Sequence, residues 1–576
     1  MARYRIRGPR LAPYARVTIP DPVLVPPTAK SVPSLVFTWR SVLAQRVRSS
    51  HFGTRSDLST KIGSNPDFDS RGELESALSK AVAILGRHAA AVGGVLFFLL
   101  AASQVQFHDV YEFDPDEGNN LLKSLMLDRG FGFGEIWSDQ PPLFSYLLLA
   151  VFKIFGWHVE VGRMLTLAFA AALVFAVYDL LRLELGHLAA SGAVILMVFS
   201  REFILRSVCV MLGLPAIALA VLGVWALRRW QQRGEGRWLV LSGFFLGCSV
   251  ATKMFTAFIV PLCALYVAAY AWSRSSKPSW LRLGCIWAAA FALTALAALS
   301  PALFSAHPEQ LLQAHVAGRG LTTKWLRLHG SVVVPDFFRA EWPLFGLAAI
   351  GLVYALARRR AVGLLFGSWL GVAAAVLLGH YPVWPHHRLL LSVPASALGG
   401  LAIGGLIQES RSLWLRPLGS RGALVAAVAV LLGLTRLGVD YRDLFELPFR
   451  SDNERDRRVE AEIRKYAPST RTMITSRPMY AFRVGLSTPP DLAVTSYKRF
   501  VTRLLTAQSI LRDVAVYAPE QVLLSSRWSG GIRNQLRDAL RRDYHRVYRD
   551  RRNHNVELYV KKEVVETYQR RGRQGL

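Results

Sequence analysis

Cysteine is nearly absent from this chain. Its 576 residues hold four, Cys209, Cys248, Cys263 and Cys285, all inside apolar runs. Their spacing fits no metal site, so they read as small buried hydrophobes and say nothing about redox compartment. Charge is scarce as well: 19% of residues are charged and 52% are hydrophobic, and mean hydropathy is +0.27. A soluble chain of this length would carry more charge and split into several domains. No spacing of Ser, His and Asp or of Cys and His suggests a nucleophilic triad. No repeat of fixed period is present either, which leaves a solenoid or an inverted-repeat transporter without support.

Acids are the scarcer sign, 40 against 69 Lys and Arg, and the net charge is +29. Such a balance raises nucleic acid as a partner. The basic residues form no single stripe, however. They sit at the ends of apolar runs ("ALRRWQQRGEGR", "ALARRRA", "RSLWLRPLGSR") and in the two termini. That placement is a topology signal and a contact for anionic headgroups, and no nucleic-acid partner is expected.

What the chain has in abundance is apolar sequence. Runs long enough to cross a bilayer cover 88–106, 161–181, 187–204, 207–227, 237–253, 254–272, 281–304, 342–358, 361–379, 389–407 and 420–438. A shorter run at 141–157 is interrupted by Lys153. About twelve spans are expected, with 141–157 a partial or juxtamembrane segment, since a full crossing there would invert the later loops. The basic stretches 228–237, 273–282, 357–360 and 410–421 should face the cytoplasm, with the N-terminus.

Three regions follow. Residues 1–80 are basic and rich in Pro and Ser, too long for a signal peptide's n-region, and read as a largely disordered cytoplasmic tail. "ELESALSKAVAILGRH" suits an amphipathic helix leading into the membrane. Residues 81–440 form the membrane domain, with an outside loop at 107–140 and another at 305–341. Residues 441–576 alternate helical and β-prone stretches, the signature of a small extracytoplasmic α/β domain. "NERDRRVEAEIRKYAPS" and "RNQLRDALRRDYHRVY" read as helices; "RTMITSR", "DVAVYA", "QVLLSS" and "VELYVKK" read as strands.

The acids cluster where the first apolar run ends: Asp109, Glu112, Asp114, Asp116 and Glu117, then Glu135 and Asp139. Acids in an outside loop are usually solvated, yet this group recurs in two motifs, "DPDEGNN" and "SDQPPLF". The first, Asp116-Glu117, and the second, Asp139-Gln140-Pro141-Pro142, lead into an apolar run closed by Phe155-Gly156. This arrangement resembles the first extracytoplasmic loop of GT-C fold glycosyltransferases that use polyprenyl-phosphate sugars, namely the protein O-mannosyltransferases of family 39 and the lipid A aminoarabinose transferase. "GCSVATKMFTAFIVP" and "HHRLLLSVPASALGGLA" resemble further family helices more loosely. The chain departs from the pattern twice: Gln140 stands where Lys is common, and Gly118, Asn119 and Asn120 follow the acid pair in place of Arg-Tyr.

The resemblance implies an all-α polytopic fold of GT-C type and an integral-membrane enzyme, a hexosyl- or pentosyltransferase. It would move a sugar from a polyprenyl-phosphate donor to a protein, glycolipid or cell-wall acceptor on the outer face of the inner membrane. A transporter or flippase of lipid-linked saccharide is the alternative. The chemistry needs a base for the acceptor proton and cations for the departing phosphate. Asp116 is the expected base of an inverting displacement, with Asp114 its competitor; Glu117 and Asp139 join it as orienting or sugar-binding acids. Asp114, Gln140, Lys253, Arg388 and His387 are expected to bind substrate. Lys123, Arg201 and Arg206 are further cations for the phosphate, while Asp109 and Glu112 read as polar rim. No cofactor is expected; the acids could hold Mg²⁺ or Mn²⁺, but the closer relatives imply none. A nucleotide sugar has no visible site, and the aromatics of "HYPVWPHH" read as an interfacial belt.

Overall fold

The computed structural model describes residues 110–198, 200–274, 277–305, 328–413, 449–496, 499–500, 503–550 and 555–574. The expected tail 1–80, the amphipathic helix before the first span, the spans 88–106 and 420–438, and Asp109 lie outside the described residues.

Fourteen or so residues of helix need only about 20 Å, whereas a bilayer core is about 30 Å thick, so length sorts the helices. Helix α1 (Pro115–Asp128) and the apolar α2 (Leu143–Phe155) are short. Helix α3 (Val159–Leu185) is long, α4 (His187–Val198) and α5 (Arg201–Ser207) are short, and α6 (Gly213–Arg233) is long again. Then come α7 (Gly236–Thr252), α8 (Ile259–Arg274), α9 (Lys277–Leu303), α10 (Gly330–Ala340), α11 (Trp342–Ala357), α12 (Ala361–Leu378) and α13 (Leu389–Leu413). Among the described residues six helices are long and apolar enough to cross a membrane, or seven if the pair α10–α11, bent by 86°, counts as one span.

The difference from about twelve has physical causes besides the undescribed segments. The run 187–204 is divided: α4 ends at Val198, Ser200 is extended, and α5 opens on the charged pair Arg201-Glu202. Charges at that point cannot continue an apolar span cheaply. The run 141–157 is indeed short. It turns Phe144, Leu148 and Phe152 into a protein core and leaves Lys153 near Asp128, 3.5 Å away.

The bundle has two chemically distinct ends. Helix α6 starts beside Met211 and Leu212 and finishes at the arginines 228, 229 and 233; α7 runs back and finishes at Lys253. At the arginine end Asp179 takes ion pairs from Arg182 and Arg229, and Glu184 takes one from Arg228 at 2.9 Å. Inside, small residues let backbones touch. A Cβ on Gly351 of α11 would overlap the carbonyl of Leu398 in α13, and one on Gly400 would meet Ala189 of α4 at 2.5 Å.

The C-terminal part holds a four-stranded sheet of β1 (Met473–Thr475), β2 (Gln521–Leu524), β3 (Tyr544–Asp550) and β4 (Val556–Lys561), in the order β1-β2-β4-β3. β1 and β2 are parallel, with Ile474 opposite Val522; β4 is antiparallel to both β2 and β3. Side chains alternate between its faces. Ile474, Val522 and Leu524 pack toward α16 (Ala507–Tyr517) and α17 (Gly530–Leu540). Met473, Leu523, Leu558 and Val560 pack with α14 (Phe449–Tyr466), α15 (Pro478–Val484) and α18 (Lys562–Gln574). This second core continues without a break into Leu121, Leu122 and Met126 of α1 and Phe152 of α2.

Two expected elements change type. "DVAVYA" belongs to α16, because Thr506 and Ser509 form a reciprocal capping box and Ala507, Ile510 and Asp513 then fall on one buried face. "YHRVY" belongs to strand β3, drawn into pairing by β4 with His545 opposite Val560. Replacing Gly351 with Ala should force α11 from α13 and cost about 1–3 kcal/mol, read as a lower midpoint in thermal unfolding of the purified protein.

Candidate active site

Asp114 sets the geometry. Its carboxylate accepts from the Asp116 amide at 3.1 Å, so it caps α1, and Pro115 occupies the first turn, where a missing N–H costs nothing. Once α1 starts there, successive residues are turned about 100° apart. Asp116 faces outward into a cavity, Glu117 inward toward the bundle, and Lys123 comes round below Asp116 to the cavity again.

The cavity has a volume of about 430 Å³. Three acids line it, Asp114, Asp116 and Asp139, with four cations, Lys123, Arg206, Lys253 and Arg527. Gln140 and His387 also face it, as do Phe255, His380, Trp384 and His386. The structure therefore brings together the expected Asp114, Asp116, Asp139, Gln140, Lys253 and His387, and with them Lys123 and Arg206. Trp384 is part of the wall, whereas its sequence context suggested an interfacial belt.

Asp116 is only lightly tied, by a hydrogen bond from Asn119 Nδ2 at 3.2 Å. Burial, then the charges of Asp114 and Asp139, lift its carboxyl from the ordinary 3.8 to about 7, against the pull of Lys253. Lys123 is lowered from 10.5 to about 8 by burial, partly offset by Asp139 and Asp116. Its ammonium donates to Ser138 Oγ at 3.4 Å, next to Gln140. A cation thus reaches the turn where the family's Lys is missing, carried by α1 instead of by the second motif. Ser138 closes that turn, donating to the Gln140 carbonyl at 2.9 Å and accepting from its amide.

Across the cavity, Lys253 ends α7 and is 9% exposed. Its Nζ lies 3.8 Å from where a Cβ on Gly213 would stand, at the first residue of α6. An ammonium beside a helix N-terminus repels the partial positive charge there, and an anion between them would satisfy both. Arg206 reaches the same region while bonded to Asp114 at 2.9 Å. His387 accepts from the Trp384 amide through Nδ1 at 3.2 Å, which puts the proton of a neutral ring on Nε2.

Three residues are placed otherwise than expected. Glu117 does not share the cavity with Asp116. It is fully buried and takes two bonds from Arg163, both 2.9 Å, with further bonds from the amides of Phe113 and Val210. Arg388 does not line the cavity; it lies 3.5 Å from Glu202 with its guanidinium 5.2 Å from the Phe337 ring centre. Glu112 is not a solvated rim residue. Its side chain is buried and receives Arg477 at 3.3 Å and Arg527 at 3.1 Å, both from the C-terminal part. The side chain of Arg201 lies outside what is described.

Residues that sequence reasoning missed fall in two groups. Arg163 stands alone in the first turn of a long apolar run, and a charge at membrane depth signals a buried partner. Ser476, Thr495, Ser496 and Arg527 come from distant C-terminal loops, with no motif to mark them. Gly118, one of the departures from the family pattern, admits this C-terminal part: a Cβ there would stand 2.5 Å from the Met479 backbone nitrogen. Among the described residues no group of three or more His, Cys, Asp or Glu is arranged to hold a metal ion.

The family described as dolichyl-phosphate-mannose-protein mannosyltransferase matches residues 139–304, under a third of the chain. Three solved structures are similar over about four fifths of this chain. ArnT from Cupriavidus metallidurans bound to undecaprenyl phosphate is 14% identical, with a TM-score of 0.54 over 81% of this chain and 97% of that one. The same protein in its apo state gives 14% and 0.53 over 82% and 98%. The oligosaccharyltransferase of Archaeoglobus fulgidus in the apo form gives 12% and 0.51 over 78% and 71%. No curated protein sequence matches. The fold these likenesses show is the GT-C fold of membrane glycosyltransferases. With its apolar helices, this chain is a multi-pass membrane protein of that fold.

Glu117→Gln should leave Arg163 buried without a counter-charge. The expected loss is about 3–5 kcal/mol, visible as reduced yield of folded protein and a lower unfolding midpoint. Asp116→Asn, in contrast, should leave the midpoint unchanged or higher above pH 7. A carboxyl raised on folding makes the folded state the better proton binder between about 4 and 7, so its contribution falls as pH rises through that window.

Proposed function

We propose that the chain is a glycosyltransferase that moves a sugar from a polyprenyl-phosphate donor to an acceptor nucleophile, with Asp116 as general base. The observation that carries this reading is the cavity itself. One carboxylate is poised near neutrality, and cations backed by a helix N-terminus stand across from it.

The reaction asks little covalent chemistry of the protein. An acceptor hydroxyl or amine loses its proton to Asp116 as it attacks the anomeric carbon. The bond from that carbon to the phosphate oxygen breaks, and polyprenyl phosphate leaves. A single displacement inverts the anomeric centre. Lys253, Arg206 and the N-terminus of α6 receive the charge that grows on the phosphate. Asp139 and Asn119, which line the cavity with Asp116, are placed to orient sugar hydroxyls, and Gln140 can do so without adding charge.

The similarity to ArnT bound to undecaprenyl phosphate supports a lipid-linked donor. Orientation follows from charge: the arginine end of the bundle faces the cytoplasm under the positive-inside rule, so the cavity opens on the extracytoplasmic side of the cell membrane. The C-terminal part is then an extracytoplasmic α/β domain beginning near residue 441. No cofactor is assigned a step.

Purified protein supplied with polyprenyl-phosphate sugar and an acceptor bearing a hydroxyl or amine should release polyprenyl phosphate as the sugar is transferred, and Asp116→Asn should slow this by about 10²–10⁴. The wild-type rate should rise with pH through an apparent pKa near 7, because the protonated carboxyl cannot accept a proton, and the residual rate of the variant should lack that step. Undiminished turnover in the variant would move the base to Asp114. Movement of intact lipid between leaflets without sugar cleavage would instead identify a flippase.

A further inference from the structure

The C-terminal part is strongly charged, yet helix α16 ends in an exposed apolar tip. Ala515 is exposed, Val516 is 68% exposed and Tyr517 44%. The tip follows a buried face from which Ile510 packs with Ile474 and Val522 of the sheet, so the helix is fixed while its tip is exposed. Arg512, with a side chain 70% exposed, stands on the solvent side beside it. An aromatic, an aliphatic and a cation at one helix end is a pattern suited to a membrane interface.

The surroundings show which surface the tip meets. Tyr517 lies within electrostatic reach of Glu135. Glu135 belongs to the glycine-rich loop whose Phe133 packs on Ala302 of α9 and whose Gly134 abuts Ser305. Helix α9 is long and apolar enough to cross a membrane and exposes apolar side chains up to its end, Leu293, Leu296 and Leu303, followed by Phe304, 88% exposed. The same loop is joined to the C-terminal part by Trp137, whose amide donates to the Pro490 carbonyl at 3.2 Å and whose ring packs on Val494, so the tip of α16 lies on the side of that part which meets the end of α9.

We propose that the tip of α16 dips into the leaflet on the cavity side, with Val516 and Tyr517 in the interface and Arg512 at the lipid phosphates. The contact makes the bilayer a support for the cavity wall. Asp513, on the same helix, feels the charges of Asp491 and Arg499, and Arg499 donates to the Val494 carbonyl at 2.9 Å, beside Thr495 and Ser496 of the wall.

The test uses the full chain in vesicles of phosphatidylcholine and phosphatidylglycerol, with Cys285→Ser to remove the exposed cysteine. An environment-sensitive fluorophore is attached through Ala515→Cys, and in a control through Arg541→Cys, an exposed position just past the end of α17. Acyl-chain nitroxide lipids should quench the probe at 515 several-fold more than the probe at 541, and aqueous iodide should show the reverse order. Adding Val516→Asp and Tyr517→Asp should abolish the lipid quenching while the unfolding midpoint holds. Equal iodide quenching at both sites would overturn the proposal. Protection from both quenchers would also overturn it, by assigning the cover to another part of the chain.

Discussion

A carboxylate cannot stay buried at the end of an apolar bundle without a cation, and the pairing of Glu117 with Arg163 answers that requirement. Arg163 spends its fork on Glu117 and its remaining reach on the Val110 carbonyl at 3.0 Å, with its guanidinium over the Phe113 ring. Glu117 in turn holds the amides of Phe113 and Val210. One ion pair thereby fixes the chain entering α1, the start of α3 and the segment leading to α6. Those three pieces carry Asp114 and Asp116, the bundle scaffold and the helix N-terminus beside Lys253. Breaking such a pair leaves a charge stranded in a low-dielectric site, and the loss falls on the whole arrangement.

The two acids of one motif are therefore separated by a single helical step into different physical situations. Glu117 is saturated with donors. Asp116 has one weak amide donor and two like charges nearby. Three of the cavity's cations have other partners, Arg206 at Asp114, Lys123 at Ser138 and Arg527 at Glu112, so they offset its burial only in part. Lys253 remains to pull on Asp116, and it also faces the N-terminus of α6. A base near neutrality and a site able to take a phosphate come from the same distribution of partners.

Sequence showed the helices well where burial is imposed by the membrane. The runs 237–253, 342–358, 361–379 and 389–407 correspond to α7, α11, α12 and α13 within a few residues, because about 20 apolar residues leave few other structures open. It failed where tertiary contacts outweigh propensity, in the β-prone "DVAVYA" that a capping box turns into helix and in β3, which exists because β4 pairs with it. Within the site, the two motifs exposed Asp114, Asp116, Asp139 and Gln140. They could not separate Asp116 from Glu117, since the choice rests on Arg163 some 46 positions away. Nor could they show that Arg388 turns to Glu202, a contact set by the break between α4 and α5.

Gly118 ties these threads together. Where the resembled family often places a long cation, this chain places the one residue that lets another backbone come within contact of α1. The C-terminal part uses that opening. Met479 seats against Gly118, Arg477 and Arg527 clasp Glu112, and Asp456 holds Arg477 through two bonds of 2.6 and 2.8 Å. Ser476, Pro478 and Arg527 then become wall of the cavity. In this chain the motif without a cation and the wall supplied by the C-terminal part occur together, and that wall brings the Arg527 guanidinium to the site. The base-bearing helix is consequently held by the bundle through Glu117 and by the C-terminal part through Gly118, so neither can shift without moving Asp116.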